Sequence, residues 1–122
     1  MRALVVDDSA VILAVVSRCL ERMAFEVTIA CSGDVAWSRM QEITFDLVVA
    51  DLVMPGMDGI ELIQLIRERG DQTPVIVLTS MSDAETVERA RAAGANAYLL
   101  KPFDGAILAE CIVSLLSSAT AI

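Results

Sequence analysis

Five short apolar runs alternating with five amphipathic stretches predict an α/β fold, a doubly wound parallel sheet with helices on both faces. Three observations carry that reading. Most of the runs are apolar throughout, as expected of parallel strands buried on both sides. Each stretch between runs is long enough for a helical crossover, with no internal repeat or low-complexity segment. Two of the runs, Ala3-Leu4-Val5-Val6 and Val48-Val49-Ala50, stop at acids, Asp7-Asp8 and Asp51, so carboxylates converge on one rim of the sheet.

Ala3–Val6 is the first strand. Ser9 is a good N-cap for a helix to about Met23, with Val11, Ile12, Val15, Val16, Cys19, Leu20 and Met23 on the stripe expected to face the sheet. Phe25-Glu26-Val27-Thr28-Ile29 alternates apolar and polar residues, the period of a half-exposed strand, which places it at an edge. Ser32 and Gly33 open a second helix to about Glu42, and Asp46–Ala50 reads as a strand buried on both faces. The third helix starts near Gly59, carries Ile60, Leu62, Ile63, Leu65 and Ile66, and ends with Arg67 and Arg69 before Gly70, a favourable C-terminus. Pro74–Thr79 is the fourth strand. Ser82-Asp83-Ala84-Glu85 reads as a capping box, opening a helix from about Asp83 to Ala93 that stops at Gly94. Val87 is the only large apolar residue of that helix, which should therefore be the least firmly anchored element. Asn96–Leu100 makes the fifth strand, ending at Lys101-Pro102. The last helix, about Asp104 to Ser117, carries Ile107, Leu108, Cys111, Ile112, Leu115 and Leu116 ahead of a featureless tail, Ser118–Ile122. With the second strand at an edge and right-handed crossovers, the order 2-1-3-4-5 is adopted from known doubly wound sheets. Strands one and three are then neighbours, and the crevice at their carboxyl ends holds Asp7, Asp8 and Asp51.

A chain of 122 residues fits one domain, 1–122, long enough to bury a core. The net charge of −8 argues against direct contact with nucleic acid or an anionic membrane and favours basic partners. Hydrophobic residues make up 56% of the chain, yet no apolar run approaches the roughly 18 residues of a membrane span. The N-terminus also meets Asp7-Asp8 before any signal-peptide core could form, so a cytoplasmic location without membrane insertion is expected. Cys19, Cys31 and Cys111, odd in number and set among apolar neighbours, are expected to be reduced core residues. The absence of histidine excludes most catalytic triads, most zinc sites and any phosphohistidine of the chain's own.

Aspartate at the end of a buried run costs desolvation unless a cation or hydrogen bonds compensate. Three carboxylates on one rim repel, each close pair by roughly 4 kcal/mol at an effective dielectric of about 20, which calls for a divalent cation. Thr79 and Lys101 end the fourth and fifth strands at the same rim. Singly, each has an ordinary role, since threonine is common at strand ends and an edge lysine discourages aggregation. Together the five residues supply acids for a hard, oxygen-preferring metal, a hydroxyl donor and a cation, the inventory for stabilising a phosphoryl group on an acid.

The segments Val5-Val6-Asp7-Asp8-Ser9, Asp51-Leu52-Val53-Met54-Pro55-Gly56-Met57-Asp58-Gly59, Thr79-Ser80, Tyr98 and Lys101-Pro102-Phe103 resemble the receiver domains of two-component response regulators, specifically the single-domain chemotaxis type. The resemblance covers essentially the whole chain and implies a flavodoxin-like (βα)5 fold. It implies phosphorylation of Asp51 by the phosphohistidine of a sensor histidine kinase or phosphotransfer protein. It further implies Mg²⁺ held by Asp8, Asp51 and the Val53 carbonyl, with Asp7 acting mainly through water. Lys101 would pair with Asp51 or its phosphate, Thr79 would bond a phosphoryl oxygen, and Tyr98 would turn inward as Thr79 moves. A cis peptide before Pro102 would aim Lys101 into the site. Catalysis would extend only to the protein's own phosphorylation and dephosphorylation. The face made by helix four, strand five and helix five would bind an output protein or effector domain. Val53 and Met81 are apolar where many members are polar, which bears on the dephosphorylation rate. Among competing classes, an aspartyl-nucleophile phosphohydrolase wants a second acid two residues beyond its nucleophile, where this chain has Val53. A receiver that binds partners without phosphorylation would be expected to lose part of the acid, threonine and lysine set, and none is lost. A flavin or dinucleotide binder needs a phosphate loop after strand one, where Asp7-Asp8 would repel it.

Overall fold

Parallel strands can only be joined by crossovers, and the chain supplies one helix after every strand. The computed structural model describes residues 1–120, with side chains through Ser117. In order, the elements are β1 Arg2–Val6, α1 Ala10–Arg22, β2 Glu26–Ala30, α2 Gly33–Glu42, β3 Leu47–Asp51, α3 Gly59–Glu68, β4 Val75–Thr79, α4 Ala84–Ala93, β5 Ala97–Leu100 and α5 Gly105–Thr120. The sheet is parallel throughout, in the expected order β2-β1-β3-β4-β5.

Alternate residues of the central strands feed two cores. Leu4, Val6, Val48, Ala50, Val75 and Val77 pack with Met40 of α2, Leu62, Ile63 and Ile66 of α3, and Ala90 of α4. On the other face Ala3, Val5, Leu47, Val49, Ile76 and Leu78 pack with Leu13, Val16 and Leu20 of α1 and Leu108 and Ile112 of α5. Every residue of β3 and β4 is buried, whereas the edge strand β2 leaves Ile29 exposed. Among the described residues no helix is long and apolar enough to cross a membrane.

The register places the rim. Val6 pairs with Ala50, so Asp7 and Asp51 leave adjacent strands side by side. Asp51 pairs with Leu78, so Thr79 stands one residue further out; Thr79 pairs with Leu100, so Lys101 stands one further again.

Several local expectations are corrected. In α1 the inward stripe is Leu13, Val16 and Leu20, while Val11 and Val15 are 71% and 50% exposed. Each valine is two residues from Leu13, more than half a turn around the helix, and so points away from the sheet. The N-cap of α4 is Asp83, not Ser82: its carboxylate accepts the Thr86 N–H at 2.9 Å and the Thr86 hydroxyl at 2.7 Å. A carboxylate suits the positive end of the helix dipole better than a hydroxyl does. All three cysteines are free, but Cys31 is exposed just beyond the end of edge strand β2, and Cys19 and Cys111 are only half-buried. Helix α5 continues past Ser117 to Thr120, since no glycine or proline interrupts it; what was expected of 121–122 lies outside the described residues.

The weakly apolar α4 buries only Thr86 and Ala90 and packs chiefly on α3. Beyond the packing of Ala90 and Ala93, its C-terminal end is tied by the Arg67 side chain. Arg67 Nε and Nη2 donate to the Gly94 carbonyl at 3.2 and 2.8 Å, and Nη2 also donates to Asn96 Oδ1 at 2.8 Å. Its Nη1 reaches the Asp71 and Thr73 carbonyls at 2.9 and 2.8 Å, so all five guanidinium protons are used. Gly94 itself takes a left-handed conformation, φ 115°, to turn the chain toward β5. On the other side of α3, Arg69 stacks 5.0 Å from the Trp37 ring and donates to the Met40 carbonyl, tying α2 to α3.

Arg67→Ala should therefore lower stability by about 2 to 3 kcal/mol in urea melts, because it strands carbonyls on separate segments. Arg67→Lys should recover less than half of that, as one ammonium cannot serve the same fork of acceptors. A wild-type midpoint for Arg67→Ala would mean that water replaces the guanidinium.

Candidate functional site

Asp7 and Asp51 are 1% and 6% exposed, yet both carry ionisable groups at the end of buried strands. Each is compensated in two ways. Asp7 Oδ1 accepts the Ser9 N–H at 2.9 Å, and Oδ2 accepts from Lys101 Nζ at 2.9 Å. Asp51 Oδ1 accepts the Val53 N–H at 3.3 Å, and Oδ2 lies 3.2 Å from the same Nζ. Lys101 thus bridges the two acids, and the peptide to Pro102 is cis, as the resemblance implied. Asp8 stands exposed beside them, with oxygens of Asp7, Asp8 and Asp51 within 4.8 Å of one another.

The charges do not balance. Burial raises the Asp51 carboxyl above the ordinary carboxylate range; Lys101 and the Val53 N–H oppose this, and Asp7 adds to it. Burial alone would depress the Lys101 ammonium, but its bonds and attraction to Asp7 and Asp51 outweigh burial and hold it above the usual lysine value. Three carboxylates against one ammonium leave a surplus of negative charge on converging oxygens, a donor set suited to a small, hard divalent cation.

Thr79 is 1% exposed, and its Oγ1 accepts the Met81 N–H at 3.2 Å while retaining its own proton to donate. The Tyr98 hydroxyl, from half-buried β5, donates to the Met81 carbonyl at 2.6 Å. The backbone of one residue therefore links Thr79 to Tyr98. Val53 and Met81 are 58% and 41% exposed, so neither side chain is packed away from the rim.

The response regulator receiver domain profile matches residues 3–113 of the chain. The chain belongs to this family. Among similar proteins, the regulatory protein VanRB of Enterococcus faecalis is 36% identical over 95% of the chain, and the transcriptional regulatory protein ResD of Bacillus subtilis is 39% identical over 84%. The match takes in 52% and 42% of those two proteins, so the chain spans about half the length of the curated relatives it matches. Among solved structures, the chemotaxis protein CheY4 of Vibrio cholerae has a TM-score of 0.88 at 32% identity, covering 93% of this chain and 96% of that one. A CheY-like receiver domain protein of Methanospirillum hungatei has a TM-score of 0.90 at 30% identity, covering 96% and 94%.

The receiver-domain structure brings Asp7, Asp8, Asp51 and Lys101 to one place, with Thr79 and Val53 on the adjoining strand end and turn and Tyr98 within β5, joined to Thr79 through Met81. Two features escaped sequence reasoning. Besides Asp51 at 3.2 Å, Lys101 pairs with Asp7 at 2.9 Å, a second partner that a run simply ending in two acids does not single out. The Met81 link had no signal at all, because it is made by backbone atoms.

Removing one acid should relieve the surplus charge. Asp8→Ala should stabilise the metal-free protein by about 1 kcal/mol and Asp51→Ala by about 2 kcal/mol, read from urea melts at pH 7. Because the folded state raises the Asp51 carboxyl, the wild type is penalised as pH rises above the unfolded value; the advantage of Asp51→Ala should fade below about pH 4. Lower stability of both variants at pH 7 would overturn the crowded-acid account.

Proposed function

We propose that this receiver domain is a phosphoaccepting switch in which the Asp51 carboxylate takes a phosphoryl group from the phosphohistidine of a sensor histidine kinase or phosphotransfer protein. The observation that carries this reading is the buried Asp51 carboxylate, bonded on one oxygen to Lys101 and on the other to the Val53 N–H, beside two further acids. An Asp51 oxygen attacks phosphorus as the bond from phosphorus to the donor nitrogen breaks, and the donor keeps that electron pair. Lys101, held between Asp7 and Asp51, stays beside the new aspartyl phosphate and offsets its charge. The Thr79 hydroxyl donates to a phosphoryl oxygen. Asp8, Asp51 and the Val53 carbonyl would hold Mg²⁺, with Asp7 acting through water, and the ion when bound neutralises charge on the transferred group. The chemistry is confined to the domain's own phosphorylation and dephosphorylation, and the reading carries with it a cytoplasmic location.

Phosphorylation adds up to about two negative charges beside Thr79. Its hydroxyl is drawn toward the phosphate and away from the Met81 N–H, loosening the residue whose carbonyl holds Tyr98. Tyr98 can then turn inward, and α4, with little apolar burial of its own, follows. The face formed by α4, β5 and α5 would pass the change to an output protein or effector domain.

Incubation with phosphoramidate and Mg²⁺ should give a phosphoryl adduct by intact mass on the wild type and none on Asp51→Asn. A wild type that acquires no phosphoryl group under these conditions would sink the reading.

How long the adduct lasts depends on water reaching phosphorus in line. Val53 and Met81 are exposed at the rim and offer no hydrogen bond to orient that water. Val53→Asn/Met81→Glu should therefore lose phosphate about tenfold faster, with its rate of phosphorylation little changed. Equal decay in variant and wild type would show that these side chains do not control the water.

A further inference from the structure

Asp51 is the last residue of β3, where the sheet gives way to a loop. Its carboxylate is held by Lys101 and by the Val53 N–H, so its setting depends on where the backbone puts both Asp51 and the loop that follows it. That loop, 52–58, is pressed from two directions by the first residues of two helices. A Cβ on Gly59, which opens α3, would lie 2.3 Å from the Asp51 carbonyl oxygen and 2.9 Å from Leu52 Cα. A Cβ on Gly33, which opens α2, would lie 2.5 Å from the Met57 carbonyl oxygen. Both glycines are buried, and neither has a positive φ, so space and not backbone conformation requires them. The Gly59 N–H also donates to the Leu52 carbonyl at 3.0 Å, closing the loop on itself.

We infer that Gly33 and Gly59 are positioning residues for phosphoryl transfer. By letting α2 and α3 meet loop 52–58 backbone to backbone, they set the Asp51 carboxylate and the Val53 carbonyl at the spacing the phosphoryl group and its cation require; the inference rests on the phosphoacceptor reading above. Neither touches the reacting atoms. Their effects separate by what each would push. An added methyl at Gly33 displaces Met57 and, through it, the loop that carries the Val53 carbonyl, while the end of β3 stays in place. At Gly59 it displaces Asp51 itself.

The test compares Gly33→Ala, Gly59→Ala and Gly70→Ala. Gly70 has φ 82° with nothing within 4 Å of its missing Cβ, so its variant strains the backbone without touching the site. Rates of phosphorylation by phosphoramidate are read by mass across Mg²⁺ concentrations, and Mg²⁺ alone is titrated by calorimetry. Gly33→Ala should raise the Mg²⁺ concentration for half-maximal rate by about tenfold, with the rate at saturating Mg²⁺ within about threefold of wild type. Gly59→Ala should lower the saturating rate about 100-fold as well. Gly70→Ala should melt earlier yet keep both values. If Gly59→Ala does not fold, Gly33→Ala decides the matter. Wild-type Mg²⁺ affinity and rate in a folded Gly33→Ala would overturn the inference, as would an equal loss in Gly70→Ala. A wild type that takes no phosphoryl group would instead remove the functional reading, and the Mg²⁺ titration of Gly33→Ala would still decide this one.

Discussion

The rim of the sheet depends on an ammonium shared between two buried carboxylates. Lys101 lies 2.9 Å from Asp7 and 3.2 Å from Asp51, and without it two acids at most 6% exposed would face each other with one backbone N–H apiece. Taking such groups out of water is costly unless partners replace the hydration. The pairing requires β1 and β3 to be neighbours and β5 to end at the same edge, so the strand order and the site are one constraint. Because one ammonium stands against three acids, the compensation is incomplete, and a surplus of negative charge remains on converging carboxylate oxygens.

Backbone contacts do much of the placing that side chains do elsewhere. Helix α3 starts against the Asp51 carbonyl, α2 starts against the Met57 carbonyl, and Met81 joins Thr79 to Tyr98 through its own N–H and carbonyl. Such contacts transmit small displacements with little slack, because a close-packed backbone has no rotamers to absorb them. On the β3 side these are close backbone approaches at Gly33 and Gly59, whereas on the β4 side the link runs through the hydrogen bonds of Met81.

Much of this was legible in the sequence because hydrophobic period and strand-end chemistry are local properties. The solid runs of β3 and β4, the half-exposed β2, the Ser9 and Ser32 caps and the positions of Asp7, Asp51, Thr79 and Lys101 all follow from them. Part of what escaped depends on neighbours distant in the chain. Val11 and Val15 are at helical spacing with each other but two residues from Leu13, which puts them on the side of α1 turned from the core, and their apolar character alone draws them into the stripe. Ser82 and Asp83 are both good caps, and the choice fell to the carboxylate that could also take the Thr86 hydroxyl. Arg67 read as a favourable charge near a helix end, with no hint that its acceptors lie on the Asp71–Thr73 turn and the approach to β5.

The Arg67 fork has a mechanical consequence for α4. Its grip falls on Gly94, at one end of the helix, whereas the opposite end, capped by Asp83, follows the turn whose Met81 bonds Thr79 and Tyr98. On the proposed switching, release of the Met81 link would let α4 pivot about its Gly94 end over its contacts with α3. With a rise of 1.5 Å per residue, ten residues form an arm of about 15 Å, and a swing of about 10° would carry Asp83 through roughly 2.5 Å while Ala93 hardly moved. A protein seated near Asp83 would feel the full stroke; one seated over Ala93 would rest on the fulcrum.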